Sequence, residues 1–137
     1  MSQSRIAAIA LVAAALVLAT MGCGTSSSNR VLQSIAVTPA TADAQDFANG
    51  QVQFTATGTF SKPPSPSAVT FAAPYSGQWF VDPAIATLVG TGTGTATFQC
   101  VAGASGTTTV RATASVNSAR GGEMSISVTG TAMLTCP

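Results

Sequence analysis

The sequence contains no histidine, and lysine, tryptophan and tyrosine occur once each, as Lys62, Trp79 and Tyr75. Charged residues make up 7% of its 137 residues, with Lys+Arg 5 against Asp+Glu 4 and a formal net charge of +1. An ordinary soluble protein carries about 25%. So small a basic complement cannot build a phosphate-neutralising face, and nucleic acid is not expected as a partner. With no imidazole and few carboxylates, the usual acid–base and metal-ligand sets are missing, so no enzymatic activity, cofactor or metal site is expected. Serine and threonine are plentiful, but a nucleophile needs an adjacent base, and Lys62 sits beside Pro63 and Pro64. The Gly/Thr alternation at residues 90–95 is followed by neither a lysine nor a helical pattern, which excludes a phosphate loop. Helical periodicity is missing as well: beyond Arg30 no apolar i, i+3, i+4, i+7 pattern is sustained.

What is present begins with an address. Arg5 precedes an unbroken apolar run at residues 6–19, and Met21 and Gly22 lead to Cys23. A basic start, an apolar core and a small residue before a cut form a secretory signal, expected over residues 1–22. The run is short for a membrane span, which needs roughly 20 residues. Gly22-Cys23 after such a run resembles the lipobox of bacterial lipoproteins, although Thr20 stands where that family usually has leucine. The resemblance implies that Cys23 carries diacylglycerol and becomes the mature N-terminus, so the partner is the membrane, through a lipid anchor. Gly24 after the cysteine is similar to the outer-membrane sorting choice; without lipidation the chain is expected to be secreted. Residues 23–30 form the lipidated cysteine and a polar, Ser-rich tether, reaching at most about 24 Å when extended. Beyond the signal, Arg30, Lys62, Arg111 and Arg120 balance Asp43, Asp46, Asp82 and Glu123, so the mature chain has no general steering field.

Residues 31–137 read as strands throughout. Residues 32–38 form a first strand stopped by Pro39, which has no N–H for a ladder. In residues 51–60, Val52, Phe54, Ala56, Gly58 and Phe60 alternate with polar neighbours, the period of a half-buried strand. A Pro-rich loop follows over residues 62–75, with a short edge strand expected at 68–71. Residues 78–81 carry Trp79, and residues 85–89 and 96–102 follow, the latter with Ala96, Phe98, Cys100 and Ala102 on one face. Residues 107–116 alternate again. A turn at Gly121-Gly122 leads to a last strand over residues 124–136, with Ile126, Val128, Ala132 and Leu134 on one face. Seven or eight short strands between Gly/Pro turns predict an all-β, immunoglobulin-like two-sheet sandwich. Phe54, Trp79 and Phe98 are its expected core.

With Cys23 assigned to lipid, Cys100 and Cys136 remain, each on the apolar face of its strand. In an exported domain such a pair is expected to form a structural disulfide. Two buried free thiols or a redox-active pair are the alternatives, although redox catalysis wants closely spaced cysteines at a helix N-terminus.

Several segments resemble one family. Ser34-Ile35-Ala36-Val37-Thr38-Pro39 looks like the opening strand of group 2 bacterial immunoglobulin-like domains, found in invasin- and intimin-like surface proteins. Gln53-Phe54-Thr55-Ala56-Thr57-Gly58-Thr59-Phe60 is similar to that family's second strand. Trp79, the run Asp82-Pro83-Ala84-Ile85-Ala86-Thr87, and Gly106 through Ala114 resemble its later segments. The resemblance covers residues 32–116; the Pro-rich stretch and the strand ending at Cys136 depart from it. It implies a sandwich used for adhesion, protein–protein interaction or spacing, with no catalytic residues.

Phe71, Tyr75 and Phe80 are a candidate aromatic patch for a protein or glycan ligand, against the simpler expectation of cover by the Pro-rich loop. Asp43, Asp46 and Asp82 are better read as turn formers than as a calcium site, which wants six or more oxygens from neighbouring positions. The function expected is therefore a lipid-anchored, non-catalytic envelope module. A carbohydrate-binding module and a structural subunit pairing through its edge strands are the alternatives.

Overall fold

A computed structural model describes residues 30–71, 75–116 and 127–137 of the chain. The expected signal segment, Cys23 and most of the tether lie outside these residues, as do Ile126 and the Gly121-Gly122 turn.

Nine strands form among the described residues: β1 (Leu32–Thr38), β2 (Thr41–Asp43), β3 (Gln51–Phe60), β4 (Ser67–Ala68), β5 (Tyr75–Phe80), β6 (Ala86–Gly92), β7 (Thr95–Cys100), β8 (Gly106–Val116) and β9 (Ser127–Cys136). They make two open sheets packed as an all-β sandwich. One runs β1-β3-β7-β6, with β4 pairing β3; the other runs β2-β9-β8-β5. Two short 3-10 turns, Ala44–Asp46 and Ala48–Gly50, join β2 to β3.

The alternating strands behave as their period requires. Val52, Phe54, Ala56, Gly58 and Phe60 of β3 all point inward, as do Val110, Ala112 and Ala114 of β8 and Gly130, Ala132, Leu134 and Cys136 of β9. In β1 the parity breaks: a register shift between Leu32 and Ser34 brings Leu32, Ile35 and Val37 onto one buried face. The aromatic residues link the sheets. Phe54 meets Phe98 edge-on at 6.0 Å, Phe98 meets Trp79 at 6.1 Å, and Trp79 meets Phe71 at 5.7 Å. Phe54 and Phe98 are fully buried, whereas Trp79 is half-buried because β5 is the sheet's edge. At the opposite side the sheets close tightly: a Cβ on Gly130 would lie 2.5 Å from the Ile35 carbonyl oxygen.

Several boundaries differ from the sequence reading. Pro39 ends β1, yet the chain resumes at once as β2, which crosses to the other sheet and pairs parallel with β9. The edge strand is Ser67–Ala68 rather than 68–71, because Val69 turns inward and is completely buried. The tryptophan strand begins earlier, at Tyr75. The Gly/Thr alternation is a hairpin: β6 and β7 meet at Thr93-Gly94, where Gly94 takes φ +68°. Ala102 is exposed in a turn, since β7 ends at Cys100.

Cys100 and Cys136 form a disulfide with Cα atoms 5.8 Å apart. It joins the end of β7 to the end of β9, and so staples one sheet to the other. The opposite end holds the start of β1, the end of β3 and Arg30. The Arg30 guanidinium lies 3.4 Å from the Phe60 ring centroid. It also donates to the carbonyls of Lys62 and Pro64 and to the Ser67 hydroxyl.

Candidate functional site

The outer face of the β2-β9-β8-β5 sheet carries the side chains with the most chemistry. Residues facing outward on β8 and β9 are mostly hydroxylic, and register places them in rows: Thr107 opposite Thr135, Thr113 opposite Thr129, Arg111 opposite Thr131. Thr107 and Thr135 share a hydrogen bond at 3.3 Å, and Thr113 and Thr129 one at 3.0 Å. Threonine suits such a face because its branched Cβ favours strands while its hydroxyl stays wet.

Phe80 interrupts this polar surface. It is the last residue of β5, directly opposite Arg111 in the ladder, and 39% of it is exposed. The Arg111 guanidinium sits 5.8 Å from its ring centroid, within cation–π range. The pair forms a ridge. On one side lies a shallow depression of about 620 Å³, lined by Asp82, Pro83, Thr107, Thr109 and Arg111 among others. On the other side a depression of about 300 Å³ is lined by Gly77, Gln78, Phe80, Thr113 and Ser115.

Asp82 is held firmly. Its backbone N–H donates to the hydroxyl of the buried Thr108 at 3.3 Å, and its Oδ1 accepts from the Ala84 N–H at 2.9 Å. The N–H groups of Ile85 and Ala86 both donate to its carbonyl. No carboxylate of the described residues lies in salt-bridge contact with Arg111, although Asp82 lines the same depression.

The candidate aromatic patch is divided by this geometry. Phe80 faces outward, but Phe71 is half-buried against Trp79 and lies over the inner side of Gly77, whose Cβ would fall 2.5 Å from its ring. Phe71 and Phe80 therefore occupy opposite faces of β5, because Phe71 packs on the side of Gly77 and Trp79 and Phe80 has the other parity along the strand. Tyr75 opens β5 opposite Val116, and its side chain lies outside the described residues. The three aspartates do not converge either. Asp43 and Asp46 line a depression beside Phe47 and Thr135, while Asp82 lines the one beside Arg111. Asp43 caps the following 3-10 turn by accepting from the Gln45 N–H at 3.0 Å.

The sequence does not mark Arg111 as a site residue. Its outward parity was visible, but its place beside Phe80 is set by register between strands some 30 positions apart. Among the described residues no cluster of His, Cys, Asp or Glu could hold a metal ion, and no helix is long and apolar enough to cross a membrane. No protein-family model and no curated protein matches this chain.

Proposed function

We propose that this chain is a non-catalytic, lipid-anchored module of the bacterial envelope, related to group 2 immunoglobulin-like domains, that presents a binding surface for adhesion or protein–protein interaction. The observation that carries this reading is the polarity of the sandwich. The chain enters the domain at Arg30, which the Pro-rich loop grips at one end, while the disulfide joins the two sheets at the other. An anchor at Cys23 then leaves a leash of only residues 24–29 before the gripped arginine. The 11 residues of β8, at about 3.4 Å each, carry the disulfide end about 35 Å beyond it. The depressions beside Asp82 and Phe47 are both at that far end, where an outside partner has access. A covalent staple suits an oxidising compartment, and acylation of one cysteine with several chains supplies durable anchoring.

Mass spectrometry of the chain purified from a bacterial membrane fraction tests the anchor. A diacylglyceryl-modified cysteine at position 23, with residues 1–22 absent, is the expected result. An unmodified Cys23 on soluble protein would sink the anchoring claim.

A further inference from the structure

We propose that the outer face of the β8–β5 pair binds an acidic oligosaccharide, one whose sugar units bear carboxylates, across the two depressions that flank the Phe80–Arg111 pair. The proposal rests on the reading of the chain as a binding module and names the ligand class. An aromatic ring exposed beside a polar depression offers an apolar platform to the C–H face of a pyranose. Phe80 has that placement, with Gln78, Thr113 and Ser115 beside it to meet the ring's hydroxyls. Across the ridge, Arg111 is exposed with no carboxylate in salt-bridge contact among the described residues, while Phe80 flanks its guanidinium. Its planar fork matches a carboxylate substituent in two parallel hydrogen bonds.

Asp82 supplies the complementary function. Its Oδ1 is engaged by the Ala84 N–H, which fixes the carboxyl group, and its other oxygen has no hydrogen bond among the described residues. A fixed carboxylate oxygen is an acceptor for sugar hydroxyls. The hydroxyls of Thr107 and Thr109, lining the same depression, can donate or accept. The exposed ring beside rows of hydroxyls matches the C–H face and hydroxyls of a sugar, while Arg111 and Asp82 together give the face too little net charge to hold a membrane surface. The ladder fixes the backbone of every residue involved except Asp82, which its own turn and Thr108 hold. The site is therefore organised before the ligand arrives.

The test is calorimetric titration of the full chain in detergent micelles with tetragalacturonate, and with neutral galactotetraose as comparison. Tetragalacturonate is expected to bind at least about tenfold more tightly than the neutral sugar, which corresponds to one charge-assisted pair. Arg111→Gln is expected to remove that preference, and Phe80→Ala to remove binding of both sugars, with each variant still folded and its urea transition lowered by no more than about 1 kcal/mol. Asp82→Asn preserves the turn cap and is expected to weaken both sugars together. Absence of binding to the folded chain overturns the proposal, and so does binding that Phe80→Ala and Arg111→Gln leave intact. Equal affinity for the two sugars overturns the acidic assignment. The state of Cys23 does not enter these titrations, so failure here and failure of the anchor are separate results.

Discussion

The guanidinium of Arg30 covers the ring of Phe60 at 3.4 Å and at the same time closes the Pro-rich segment through three hydrogen bonds. One side chain thus fixes three things: the point where the chain enters the domain, the end of β3, and the loop leading to β4. Arg30→Ala is expected to lower stability by about 1–2 kcal/mol, since exposed charged hydrogen bonds and a cation–π contact are each worth a fraction of that. Proteolysis within residues 61–67 should accelerate more than global unfolding does. Arg30→Lys keeps the charge but not the fork, and should recover less than half the loss. Urea titration together with timed proteolysis measures both effects; equal midpoints for Arg30→Ala and the parent chain would refute the prediction.

The disulfide closes a loop with a sequence separation of 36. In the chain-entropy account a loop of this size restrains the unfolded chain by roughly 3–4 kcal/mol. The double substitution Cys100→Ser/Cys136→Ser should therefore lower the urea midpoint strongly. Adding a reductant to the parent chain should reproduce that shift, while leaving the double variant where it is. A reductant effect on the double variant would mean that the staple is not the source.

What the sequence made legible was the alternation. β3, β8 and β9 have one apolar and one hydroxylic face, and period two is enough to set their faces without knowing their neighbours. Proline marked the end of β1 because the missing N–H stops the ladder. β2 escaped because three residues, Thr41–Asp43, carry no pattern, and its pairing with β9 depends on where the chain crosses after Pro39. Arg30 read as the last polar residue of a tether, since two of its partners are backbone carbonyls that no side-chain pattern announces. Phe71 and Phe80 are near in sequence, but Phe71 packs on the Trp79 side of β5 while strand parity turns Phe80 to the other. The Phe80–Arg111 ridge, which makes the candidate site, is a product of register. Register is settled by the whole sandwich at once.

Gly130 is where the two sheets come closest on the β1 side. A side chain there would press its Cβ to 2.5 Å from the Ile35 carbonyl oxygen and 2.8 Å from the Ile35 Cγ2. Backbone cannot yield without moving β1, so Gly130→Val is expected to cost at least about 2–3 kcal/mol. Thr131→Val, one residue on and exposed on the outer face, should stay within about 0.5 kcal/mol of the parent. Thermal unfolding of the pair decides the matter: similar midpoints for the two variants would show that the sheets can separate locally at no cost.

Trp79 presents an unusual balance. Its ring joins Phe71 to Phe98 across the sandwich, yet its Nε1 is buried without a hydrogen-bond partner among the described residues. An unpaired buried donor costs about 1–3 kcal/mol. Trp79→Phe removes that donor and also some ring volume, two effects of opposite sign and similar size, so the net change should stay within about 1 kcal/mol. Phe98→Ala removes a fully buried ring with no compensating relief and should cost about 3–5 kcal/mol. Urea unfolding followed by circular dichroism makes the comparison without depending on the indole. A loss at Trp79→Phe as large as that at Phe98→Ala would show that the indole nitrogen is satisfied in solution, and that Trp79 contributes through its polar atom as well as its ring.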